Sequence, residues 1–160
     1  MREVSPMEDS SKSALRQSLG QLLRSVEGLF FVPSGASTLS LDNLDQLRMT
    51  LGSNSIRFRC NSDGETLSID GRELCPKDLG QYGALRRADL SQDPEFVALV
   101  NMPLRQFFLV TSRDFTYTIG CLLDFSLCSL VICNWGDELK VWDRVPESLF
   151  SDEGIQIVPA

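Results

Sequence analysis

Apolar residues along this 160-residue chain follow two different periods, and the changes between them set the expected order of elements. From residue 13, Leu15, Leu19, Leu22, Leu23 and Val26 recur at helical spacing with Gln17, Gln21 and Arg24 between them, and Gly28 closes the run. This predicts an amphipathic helix. Phe30, Phe31 and Val32 lead into the turn formers of 33–37, which small residues suit to a connector and which match no phosphate-binding loop pattern. A second helix is predicted with Ser40 as its cap, Leu41, Leu44, Leu47 and Leu51 on one face, and Gly52 just past its end.

The period then falls to two. Ile56, Phe58 and Cys60 alternate with Arg57 and Arg59, Leu67 and Ile69 alternate with polar neighbours, and 61–64 supplies a turn, so a strand hairpin with one wet face is expected. A second turn at Asp70 and Gly71 leads toward a short strand near Leu74. The stretch 76–100 reads as helical in pieces, one at 79–90 and one opening at Pro94. Four runs rich in β-branched and aromatic residues follow, 107–111, 115–123, 128–134 and 139–145, and their short connections predict an antiparallel meander. In the second run Phe115, Tyr117, Ile119, Cys121 and Leu123 are expected on one face and Thr116, Thr118 and Gly120 on the other. Ile155, Ile157 and Val158 then form an edge strand or dock a tail.

The expected fold class is therefore α+β: an antiparallel sheet of about five or six strands, hairpin plus meander, covered on one face by helices and preceded by two N-terminal helices. Over about 55–145 this order resembles the plan of PAS-like sensory domains, which GAF and profilin-like modules largely share. The resemblance lies in the order of elements alone, and the cysteine run of a LOV-type flavin site is absent. The expected organisation is a mobile tail at 1–12, one domain at 13–150 and a tail or edge strand at 151–160. An apolar share of 42% and a charged share of 23% are those of a globular chain.

Charge narrows the partners. Fifteen Lys and Arg against 22 Asp and Glu leave −7, a mean field that repels nucleic acid and anionic lipid. Arg57 with Arg59 and Arg86 with Arg87 read as solvated faces. No apolar run reaches the ~20 residues of a membrane-spanning helix, and the N-terminus carries no apolar signal core, so a cytoplasmic protein is expected.

Histidine is absent, which removes imidazole triads, His-ligated metals and imidazole acid/base chemistry. The five cysteines, Cys60, Cys75, Cys121, Cys128 and Cys133, show no paired spacing and read as reduced core residues. A Ser-Lys pair would have to draw on Lys12, Lys77 or Lys140, none in a motif. Asp42 and Asp45, one turn apart on the second helix, read as a solvated face, and Asp124 and Asp143 as strand ends or partners of an ion pair with Arg144. No catalytic residue, metal site or cofactor is expected. What remains is a surface: the turn at 134–138 places Trp135 at a hairpin tip beside Asp137 and Glu138, and Trp142 with Lys140 lies on the strand that follows, opposite Leu139, Val141 and Val145. These five residues, Trp135, Asp137, Glu138, Lys140 and Trp142, are the candidate contacts to a protein partner, a second copy of the chain included, with a small ligand as the other occupant. The expected function is a noncatalytic protein-binding, sensory or adaptor module acting through a sheet face or a pocket between sheet and helices. The alternatives are an acidic inhibitor that blocks a basic partner and, in another class, a carboxylate- or cysteine-dependent hydrolase or transferase.

Overall fold

A computed structural model describes residues 9–112, 117–151 and 154–159, and its architecture is mostly antiparallel β. Two sheets face each other. The first has the order β4-β3-β2-β1-β6-β5, built from β1 (Leu23–Pro33), β2 (Leu44–Leu51), β3 (Asn54–Cys60), β4 (Leu67–Asp70), β5 (Lys77–Asp78) and β6 (Gly83–Asp89). The second has the order β10-β9-β8-β7-β11, built from β7 (Gln106–Thr111), β8 (Thr118–Asp124), β9 (Ser129–Trp135), β10 (Glu138–Trp142) and β11 (Gln156–Pro159). Two short helices, α1 (Asp9–Gln17) and α2 (Glu147–Ser151), complete it. One core joins the inner faces, with Val26, Phe30, Leu47, Met49 and Phe58 of the first sheet packed with Leu109, Cys121, Leu123, Leu130 and Ile132 of the second.

The expected helix-covered sheet is therefore overturned, and so is the likeness to PAS-type plans, since β1 and β2 take up much of the two segments expected as N-terminal helices and the covering layer is a second sheet. Two β-bulges explain the misreading. Pairing of β1 with β2 slips between Leu23 and Ser25, and again between Leu29 and Phe30, where Asp45 is the extra residue. Each bulge stretches the inward spacing from two residues to three, giving Leu23 then Val26, and Leu44 then Leu47. Spacings of three are read as helical, so both strands counterfeited a helix. The real α1 ends before Gly20, which takes φ +80°. It also takes in part of the expected tail: the Ser11 hydroxyl donates to the Ile69 carbonyl of β4 at 2.7 Å, while 1–8 lie outside the described residues.

The helical middle is corrected in the same way. Ala84, Leu85, Arg86, Arg87 and Ala88 are good helix formers, yet they sit in β6, laddered to β1 from Gly83 opposite Pro33 to Asp89 opposite Glu27. Tertiary pairing overrides weak local preference. After Pro94 only a three-residue 3-10 turn forms, Val97–Leu99, and this connection carries Phe96, Leu99 and Leu104 into the core as it passes from one sheet to the other.

The runs predicted as strands in the hairpin and the meander do form strands, with one change of face. A register shift between Val110 and Thr111 puts Tyr117 and Ile119 on the outer side, while Cys121 and Leu123 stay inside. Gly120 permits the close approach there, because a Cβ would come within 2.5 Å of the Ile132 carbonyl oxygen. Phe115 and Thr116 lie outside the described residues.

Each sheet is also crossed on its outer face by the chain that links its two edges. The residues 71–76 leave β4 at one edge and reach β5 at the other, and on the way Glu73 meets Arg48 of β2 at 2.8 Å and Arg87 of β6 at 3.9 Å. Five strand spacings of about 4.8 Å make a lateral distance of about 24 Å, and seven extended steps from Asp70 to Lys77 reach about 23–25 Å. This strap has no slack. On the second sheet, 143–155 runs from β10 to β11 and lays Val145, Leu149 and Ile155 over Val110, Ile119, Val131 and Cys133.

Candidate functional site

Among the described residues the inner faces of the two sheets pack together and a strap crosses each outer face. The five candidate contacts divide accordingly. Trp135 and Trp142 turn to the outer face of the second sheet and pack, half-buried, against the cluster that contains Val145 and Leu149. Trp142 lies opposite Leu139 and Val141, as its alternation requires, but on the same side as Val145. Asp137, Glu138 and Lys140 stay at the surface end of the β9–β10 hairpin.

That hairpin is closed by Gly136 and Asp137 with φ +62° at both, the pair of left-handed residues that a tight two-residue turn demands, with Trp135 paired to Glu138. The turn reaches across to the β3–β4 turn of the other sheet, where the Asp137 carboxyl lies beside Gly64. Asn134 ties the two, its Nδ2 donating to the Thr66 carbonyl at 3.0 Å. The β3–β4 turn is itself stiffened by Asp63, which accepts from the Glu65 and Thr66 amides and from the Thr66 hydroxyl at 2.5 Å. Burial works against the Asp63 charge, but these hydrogen bonds outweigh it and hold the carboxyl below its usual value.

Between these turns runs a groove of about 400 Å³. Phe31, Leu44 and Leu139 give it apolar patches, and its rim carries Asp42, Asp45, Asp137 and Glu138, with Arg59 as the one base lining it. Asp42 stands on a 3-10 turn (Leu41–Asn43) capped by the Ser40 hydroxyl, and Asp45 is the bulged residue of β2, so neither lies on a helix. The bulge that hid β2 from the sequence pattern is what places Asp45 at this rim. Glu138 is matched by Lys140 at 2.7 Å, and Arg59 leans toward Asp70 at 3.9 Å. Among the described residues no cation pairs with Asp42, Asp45 or Asp137, and no set of ligand residues suited to a metal ion occurs.

Cys60 also lines the groove. Burial pushes its thiol up to about 12, and Asp137, Asp45, Asp63 and Glu138 add to the rise, so it stays protonated near neutrality. Burial likewise pushes Cys133 to about 12 and raises Cys121. Cys75 and Cys128 are exposed, which corrects the expectation that all five pack inside. Asp124 ends β8 and accepts from the Ser126 amide at 2.8 Å, a strand end as expected, and Asp143 follows β10 with no Arg144 ion pair among the described residues. The sequence reading named Asp42, Asp45, Asp137 and Glu138 but had no means to bring them together; Phe31, Arg59 and Cys60 gave no signal of a shared surface.

No helix of the described residues is long and apolar enough to cross a membrane. Comparison with protein-family models, with curated proteins and with solved structures returns no match.

Proposed function

We propose that the chain is a noncatalytic binding module that grips a basic segment of a protein partner in the groove between the β2 bulge and the β9–β10 turn. The observation that carries this reading is the meeting of Asp42, Asp45 and Asp137, three carboxylates that pair with no cation among the described residues, over apolar patches at Phe31 and Leu139. A Lys or Arg side chain offers both halves of the complement, an apolar stem and a charged head. The chain's −7 charge steers such a partner in, and salt weakens that steering. Burial holds the Cys60 thiol at this groove protonated, so it lends no support to a cysteine nucleophile there.

The experiment is titration with a lysine- and arginine-rich peptide at low and high salt, using the parent and a variant carrying Asp42→Asn, Asp45→Asn and Asp137→Asn. All three positions are exposed, so the variant keeps its fold. Saturable binding by the parent, weakened about tenfold or more in the variant and by salt, is the expected result. Equal binding by parent and variant, or none by the parent, sinks the assignment to this groove.

A further inference from the structure

A second groove, of about 380 Å³, lies on the opposite logic of charge. It is bounded by the end of α1, the start of β7 and the end of β11, and is lined by Arg16, Leu19, Arg105, Gln106, Phe107, Phe108 and Pro159. Among the described residues no Asp or Glu lines it. Five of the described bases meet carboxylates: Arg48 and Arg87 meet Glu27 and Glu73, Arg57 and Arg59 meet Asp70, and Lys140 meets Glu138. Arg16 and Arg105 are exposed, line the same cavity and have no carboxylate in ion-pair reach among the described residues. Two like charges over one cavity repel each other, and a bound anion relieves both.

The rest of the lining sets the body of the ligand. Leu19 is 39% exposed beside half-buried Phe108, so the groove offers apolar surface that water covers poorly. Pro159 lines the groove and has no N–H, so an added strand gains no hydrogen bond from it. The cavity volume is at the small end of the range for small-molecule sites.

We infer that this groove binds an organic carboxylate with an aliphatic body, its carboxylate between Arg16 and Arg105 and its chain against Leu19 and Phe108. Guanidinium forks match carboxylates in two-point geometry, and the apolar surface selects for a chain over a bare ion. This site is separate from the acidic groove and does not depend on it.

The test is a titration with octanoate, followed by amide NMR shifts at Leu19 and Gln106 to Phe108 and by calorimetry, beside octanol and inorganic phosphate as probes. Octanoate is expected to shift these amides saturably, and each of Arg16→Gln and Arg105→Gln to weaken it about tenfold. Both arginines are exposed, so these variants keep their fold, which the unshifted remainder of the spectrum verifies. No saturable shift with octanoate overturns the inference. So does octanol or phosphate binding as tightly as octanoate, since the first would make the arginines idle and the second the apolar surface.

Discussion

The strap across the first sheet makes an asymmetric prediction about chain length. Deleting Arg72 removes one extended step of about 3.4 Å from a link whose lateral span already uses its full reach, so the chain falls short by most of one strand spacing. Something must detach. The weakest element is β5, two residues paired to Leu85 and Ala84, and pulling on the strap also lifts Leu74, which is buried, and draws Glu73 off Arg48. Loss of a buried leucine's packing costs about 2–4 kcal/mol, and the half-exposed ion pairs add up to about 1 kcal/mol. Inserting a glycine at the same place adds slack and costs only a few tenths of a kcal/mol in loop entropy, about 0.5 kcal/mol at most. Urea unfolding of the parent, the deletion and the insertion measures all three. The deletion should lower the midpoint clearly and the insertion hardly at all. Equal losses in the two variants would refute a taut strap, because only tension distinguishes a shorter link from a longer one.

Two further outcomes follow from the same geometry. The buried Arg57 guanidinium holds both oxygens of Asp70, at 2.8 and 2.6 Å; burial opposes the Asp70 charge, but hydrogen bonds from Arg57 and the Arg72 amide prevail and lower its pKa. A carboxyl lowered on folding stabilises the protein above its unfolded value of about 3.9 and stops doing so as pH falls through the folded value. Asp70→Asn should therefore cost about 2 kcal/mol at pH 7 and flatten the acid limb of the stability curve, so that parent and variant converge toward pH 2; parallel curves would contradict this. Thiol labelling at pH 8 should modify Cys75 and Cys128 quickly, and Cys60, Cys121 and Cys133 only on unfolding; rapid native-state labelling of Cys60 would contradict its buried, carboxylate-ringed setting.

Several features were legible without coordinates. The period-two runs of the hairpin and meander mark strands because half-buried sheets impose alternation on their residues, and a turn within 134–138 announces itself through turn-forming residues, although its tip is Gly136 and Asp137 while Trp135, expected there, is paired with Glu138 in the ladder. The absence of histidine and the acidic balance depend on composition alone, and so did the chemistry they exclude. The order Leu23, Val26 and Leu44, Leu47 could not be read correctly, because a spacing of three belongs equally to a helix and to a bulged strand, and only the pairing partner distinguishes them. The same holds for the groove. Asp45 and Asp137 are far apart in the chain, and what sets them on one rim is a bulge in one sheet and a turn in the other, held together by a bond from Asn134 to Thr66. Local pattern determines which segments suit a pleated, half-buried surface and which residues close turns; which face is covered, and which distant charges share a surface, is decided by long-range pairing whose energy no single segment contains.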